Sequence, residues 1–321
     1  METLAALLCA IAGLGCPSSS APPRAIGGVD DADTTVAVAR PADDIAHPGS
    51  TTEWWYVHAI DPKTGRAVIV SIFAEPQKAI GGFLYEPSGV KTWRALASAA
   101  STPHTGPGYS VKGSSIRYDV ADKAWIIVSD SSGYRVRLKL SATRPGATAG
   151  PLRYGRESMS WTVPVATSRA DGSITTPDGR TIEIRDWRGY HDHNWGPFSL
   201  QSRDYGGWEW AAVHEGPGKA WVLGGLTDKA GRFAGVLTRV ERTRVTTCRP
   251  TVRLERWTKK DGFRFPSRVT ATCRGRKSVR FTVTRPFVAS LVTHALTESI
   301  GTSQAPGSLG FVEHMAPMEA G

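Results

Sequence analysis

Beyond residue 51 the chain holds almost no window in which apolar residues recur at helical spacing, a property that excludes most folds. The one exception is a short stretch around 290–296. What recurs instead are short runs rich in β-branched and aromatic residues, at 54–60, 67–74, 124–129, 134–140, 221–226, 233–240 and 278–284. Turn-forming residues separate them at 61–65, 131–133, 171–172, 177–179 and 228–231. Many short strands at such spacing predict an all-β sandwich or barrel. At 321 residues there is room for two domains. A boundary is expected in the Pro- and Gly-rich stretch 142–155 or at 167–172, which divides the chain into a leader and tether (1–25), a first domain (26–165) and a second (166–321).

The leader carries an apolar run at 4–14 followed by small residues, which predicts an export signal although its first residues include Glu2 and no Lys or Arg. Cys16, after Gly13-Leu14-Gly15, is a candidate for a lipid anchor, although Gly13 and Leu14 fit a lipoprotein cleavage box poorly. No other stretch approaches the roughly 18 to 20 apolar residues that a helix needs to cross a bilayer. With Cys9 and Cys16 in the leader, Cys248 and Cys273 are an even pair for the mature chain in an oxidising compartment. Each sits in a strand-like run, 243–254 and 267–273, so neighbouring antiparallel strands can bring them within disulfide reach; two free buried thiols are the alternative. The formal charge of +10 raises the question of nucleic acid, but the basic residues are spread out, with small clusters only at 259–260 and 274–277. No recognition helix, aromatic RNA-binding pattern or finger spacing accompanies them, so a solvated basic surface is expected and nucleic acid is not.

The common cofactor and nucleophile signatures are missing: there is no G-x-S-x-G, no G-x-x-x-x-G-K, no strand-linked G-x-G-x-x-G and no HExxH. Two dense clusters remain. One is Glu53-Trp54-Trp55-Tyr56; the other runs from Asp186 through Tyr190-His191-Asp192-His193-Asn194-Trp195 to Gly196, followed by Trp208-Glu209-Trp210 and His214. If 190–195 is a strand, Tyr190, Asp192 and Asn194 face one side and His191, His193 and Trp195 the other. By the same alternation only one of Trp54 and Trp55 faces an interior. Eleven tryptophans are enough to wall a core or a pocket.

Three blocks, Glu53-Trp54-Trp55-Tyr56, Gly189 to Gly196 and Gly310-Phe311-Val312-Glu313-His314-Met315, resemble in order and spacing the carotenoid 1,2-hydratase and AttH-like family. That resemblance implies two tandem lipocalin-like β-barrels and no cofactor. It also implies activity on large apolar chains: some members protonate an alkene to hydrate or cyclise isoprenoids, and related fungal members fold polyketide polyenes for a Diels–Alder reaction. The hydratases' Tyr-x-Asp pair falls on Tyr190 and Asp192. An additional His/Trp site upstream of that pair has no clear equivalent here.

Chemistry points to Asp192 independently, because a carboxyl in an apolar, Trp-lined cavity is pushed towards its neutral form and can then donate a proton or a hydrogen bond. The expected catalytic residues are therefore Asp192 and Tyr190. The expected substrate contacts are Glu53, Trp54, Tyr56, Asn194, Trp195, Trp208, Trp210 and His214 around an apolar small molecule. The alternative reading makes Asp192 a structural acceptor of indole and amide hydrogen bonds, and the protein a non-catalytic carrier of an apolar ligand. A third reading makes His191, His193 and His214 a metal face, but no carboxylate completes that set, and no metal is expected.

Overall fold

The structure, a computed structural model, describes residues 34–97, 106–290 and 294–317. The leader with Cys9 and Cys16, and the export and lipid-anchor expectations that rest on it, lie outside the described residues. Apart from a 3-10 turn at Pro41–Asp43, every regular element among the described residues is a β-strand. No helix among them is long and apolar enough to cross a membrane.

The first sheet has twelve strands. They are β1 (Thr35–Val38), β2 (Thr52–Ile60), β3 (Ala67–Glu75), β4 (Ala79–Glu86), β5 (Gly89–Leu96) and β6 (Gly108–Val111), then β7 (Ser114–Asp119), β8 (Ala124–Ser131), β9 (Tyr134–Arg144), β10 (Ala147–Tyr154), β11 (Glu157–Thr175) and β12 (Thr181–Gly196). Their order is β5-β4-β3-β2-β12-β11-β9-β8-β7-β6, with β10 pairing β1 and β11. The sheet curls until Trp93 of end strand β5 stacks on Tyr134 of β9, with ring centroids 4.4 Å apart. The second sheet has ten strands: β13 (Tyr205–Gly216), β14 (Lys219–Asp228), β15 (Phe233–Glu241), β16 (Arg244–Cys248), β17 (Thr251–Lys260), β18 (Phe263–Thr272), β19 (Val279–Arg285), β20 (Val288–Ser290), β21 (His294–Thr302) and β22 (Leu309–Pro317). Its order is β16-β15-β14-β13-β22-β21-β19-β18-β17, with β20 on β21. These two curled antiparallel sheets are the two lipocalin-like barrels that the family resemblance implies, one of the all-β forms that the pattern of short strands predicts.

Several local expectations are corrected. Residue 165 lies inside β11, and both β11 and β12 pair with the first sheet, so the chain passes from one sheet to the other after residue 196, not at 165/166. The stretch 142–155 holds the end of β9, a short connection and β10, both strands of the first sheet, and is not a divider. Asp171-Gly172 is a register shift within β11 rather than a turn; a Cβ on Gly172 would stand 1.9 Å from the Arg137 carbonyl, so only glycine lets the strands close there. The run 243–254 is two strands broken at Arg249-Pro250, since Pro cannot donate to a ladder. The window 290–296 that hinted at a helix is strand at 290 and 294–296, and 291–293 lie outside the described residues.

Burial patterns locate the working surface. Strand β9 alternates buried and exposed residues along most of its length, as expected with one face in water. The middle of β2, β12 and β13 is buried without alternation, because these strands are covered on both faces. One face of the first sheet encloses a core including Trp55, Val57, Trp125, Leu138 and Trp187. The second sheet encloses Val213, Leu223, Val252, Phe281 and Val312. A third cluster, with Tyr56, Trp161, Tyr190, Trp210, Val222 and Phe311, fills the space between the sheets. Close approach depends on Gly224 of β14, where a Cβ would lie 2.4 Å from the Trp161 ring.

Cys248 and Cys273 form a disulfide. It joins β16, at one end of the second sheet's strand order, to the residue after β18, next to the other end, and so staples a seam that no ladder closes. Bridging a separation of 25 residues removes about 3 kcal/mol of chain entropy from the unfolded state. The Cys248→Ala/Cys273→Ala double variant is therefore expected to lose about 3 kcal/mol, measured as a lower urea midpoint; an unchanged midpoint would contradict the staple.

Candidate functional site

Strand β12 carries polar side chains on both faces, and the alternation sends them to two separate networks. Tyr190, Asp192 and Asn194 point between the sheets, together with Trp54, Tyr56 and His58 from β2 and Trp208, Trp210 and His214 from β13. His191 and His193 point into the first barrel, where Trp55 also lies. Of the expected site residues, Glu53 and Trp195 are not with Asp192. Glu53 meets His193 and His47 on the other face, and Trp195 stacks on His47 at 4.0 Å. The separation follows from the period of two: Glu53 and Trp195 are register partners an odd number of residues from Tyr56 and Asp192.

Asp192 is buried and surrounded by donors. Its Oδ2 accepts from the Trp161 indole at 3.0 Å and from the Tyr190 hydroxyl at 2.7 Å, and its Oδ1 accepts from the Asn194 amide at 3.2 Å. Tyr190 in turn accepts from the Trp210 indole at 3.3 Å. Burial raises the Asp192 carboxyl to about 6, against the pull of the Tyr190 and Trp161 hydrogen bonds. Neither an indole N–H nor the facing amide N–H can accept a proton from it. The geometry is that of a carboxylate held as an anion.

A second acidic group lies in the same interface. Glu298 of β21 and Glu313 of β22 are directly opposed cross-strand partners, both buried, and each shifts the other's titration. Two buried carboxyls side by side do not both ionise readily, so one keeps its proton. Tyr56 donates to Glu298 at 3.2 Å and Trp208 to Glu313 at 3.1 Å. Burial raises Glu298 to about 7; burial and the charge of Glu298 push Glu313 well above the ordinary carboxyl range. The negative charge of Asp192 raises both further. Glu313 falls in a block that the sequence singles out, but Glu298 was missed: Thr297-Glu298-Ser299 looks like any polar strand segment until β22 is set beside it. His58 was missed too. Its Nε2 lies 3.3 Å from Nε2 of His214, its ring stacks on Tyr190, and burial keeps both imidazoles neutral, His214 with a pKa of about 3.

The outer edge of this interface is aromatic and half-buried. Trp54 stacks on Trp208 at 5.9 Å, Phe83 meets Phe287 at 5.6 Å, and Leu296 packs alongside the same cluster. Trp208 thus links the partly exposed rim to the Glu298–Glu313 pair. The metal face of His191, His193 and His214 does not form, because His214 lies between the sheets with His58 while the other two face Asp44 inside the first barrel. Glu209 is buried, and its partner is His314 at 2.8 Å, inside the second barrel.

No family model matches the chain, and no curated protein matches it. Solved structures do. An AttH-type protein of Nitrosomonas europaea aligns at a TM-score of 0.64 and 14% identity, over 85% of this chain and 95% of that one. Kievitone hydratase from Nectria haematococca aligns at 0.59 and 12% identity, over 91% and 95%. CghA with Sch210972 aligns at 0.54 and 11% identity, over 88% and 98%. The fold is that of the AttH-like, two-barrel lipocalin-like proteins, as the three sequence blocks imply.

The raised acids bear on stability. Glu298 and Glu313 bind protons more tightly in the folded state, so their stabilising contribution is complete below the ordinary Glu value and is lost as pH rises through about 7. Unfolding free energy from urea titrations should therefore fall between pH 5 and pH 8. Glu298→Gln, which cannot ionise, should flatten that fall; an unaltered slope would show that the pair is not protonated in the folded protein.

Proposed function

We propose that the chain is a cofactor-independent catalyst of the hydratase or cyclase type, acting on a large apolar polyene, polyketide or terpenoid chain held between the two sheets. The observation that carries this reading is the pair Glu298–Glu313, an acid that retains a proton beneath an aromatic rim. Two fold neighbours agree with it, one a hydratase by name and the other seen with Sch210972.

The chemistry follows from the donors and acceptors. The Glu313 O–H adds its proton to one alkene carbon, leaving a cation spread along the conjugated chain and a carboxylate on the pair. Asp192, held ionised by Tyr190, Trp161 and Asn194, lowers the energy of that cation through space, and does so strongly because these groups are buried. Water then adds to the cation and returns a proton to the pair, or a second alkene of the same chain attacks and a neighbouring C–H proton is returned. Either route regenerates the acid. The aromatic walls fold the flexible chain, and such preorganisation contributes up to about 7–11 kcal/mol in favourable cases. Asp192 thus acts as the counter-anion and Tyr190 as its support, while the proton comes from the glutamates. The carrier reading is favoured by one observation, that Asp192 already has three donors and needs no substrate to satisfy it.

A conjugated fluorescent polyene, cis-parinaric acid, should bind with energy transfer from the interface tryptophans in the wild type, in Asp192→Asn and in Glu313→Gln alike. In a panel of conjugated isoprenoid and polyketide chains, turnover read as loss of the polyene chromophore should fall at least about 10²-fold in Glu313→Gln. Asp192→Asn should also lower turnover, while Tyr190→Phe costs less. Binding with the chromophore intact across the panel supports the carrier and contradicts catalysis.

A further inference from the structure

On the opposite face of β12 lies a cluster that the proposed reaction does not use. We propose that His47, Glu53 and His193 form a binding site for a divalent transition-metal ion, with Asp44 orienting His193 from behind.

The donor atoms are already gathered. His193 Nε2 is 3.0 Å and His47 Nδ1 is 3.3 Å from the same oxygen, Glu53 Oε1, and all three lie within 4.8 Å of one another. Ligands held about 2.0–2.2 Å from a tetrahedral or octahedral ion stand roughly 3.0–3.6 Å apart, so two of the contacts need little adjustment. Two imidazoles and a carboxylate suit zinc and its neighbours, and three protein ligands leave a position for water or substrate.

The surroundings resemble those of a built site. Nδ1 of His193 lies 3.0 Å from Asp44 Oδ1, a close contact without hydrogen-bond alignment that places the carboxylate behind the ring, on the side where metal-bound histidines find their second partner. Asp44 is itself held by the Trp55 indole at 2.8 Å and by His191 Nε2 at 2.9 Å. Both ligand rings are clamped: His193 stacks on Trp55 at 3.9 Å and His47 on Trp195 at 4.0 Å. The side chain of His47 is 30% exposed whereas those of His193 and Glu53 are buried, so an ion can arrive from solvent at one edge.

The site would pin the segment carrying Asp44 and His47 to β2 and β12, at the end of the first barrel. Titration calorimetry of the full chain, stripped with EDTA, should show one Zn²⁺ or Co²⁺ per chain at micromolar or tighter affinity, and bound Co²⁺ should develop visible d–d absorption. His47→Ala, at the partly exposed edge where folding is least at risk, should weaken binding at least about 10-fold, and Asp44→Asn by about 10–100-fold. Zinc should raise the melting temperature of the wild type and not of His47→Ala. His314→Ala should bind as the wild type does. Absence of stoichiometric binding, or binding undiminished in His47→Ala, overturns the proposal.

Discussion

Strand β12 is covered by protein on both faces, and every polar side chain on its central stretch must find a partner without help from bulk water. An unpaired buried charge costs several kcal/mol, so a strand with Tyr, His, Asp, His and Asn in sequence is tolerable only if each face supplies its own network. Alternation divides the five between two. Asp44, His191, His193 and Glu53 pair with one another inside the first barrel, while Tyr190, Asp192 and Asn194 bond one another and indoles from β11 and β13. The contacts between the sheets depend on this division, since Tyr56, His58, Trp210 and His214 all pack against the same face.

Three carboxyls in one dry interface cannot all be ionised, and their surroundings decide which one is. Asp192 receives three hydrogen bonds, two of them from N–H groups that can only donate, whereas Glu298 and Glu313 receive one each and stand opposite each other. Like-charge repulsion then places the negative charge on Asp192 and the proton on the glutamates. An acid and a counter-anion kept apart on different sheets are what protonating an alkene and sheltering the resulting cation require.

Much of the fold was legible because it rests on local signals. Strands β2, β3, β8, β9, β14, β15 and β19 coincide with apolar runs between turn residues, and the alternation within 190–195 separated Asp192 from the histidines correctly. The domain boundary was misplaced because β11, nineteen residues long, passes through Asp171-Gly172 as an irregular strand where the residue types suggest a turn. The site was legible only in part. Tryptophans and an Asp in a dense block announce themselves, but Glu298, His58 and Asp44 gain their meaning from strands and segments far away in sequence, which pairing and sheet packing alone bring together. Glu53 and Trp195 were assigned by proximity along the chain, and the sheet carries them to the other face.

The central claim is that at neutral pH the interface holds a proton on Glu298–Glu313 while Asp192 is ionised. Infrared difference spectroscopy against pH, reading the carbonyl stretch of a protonated carboxyl, tests it without any substrate. A protonated-carboxyl band should persist at pH 7 in the wild type and in Asp192→Asn, and vanish in Glu298→Gln/Glu313→Gln. A band that survives the double variant and disappears with Asp192→Asn would place the proton on Asp192 and contradict the account.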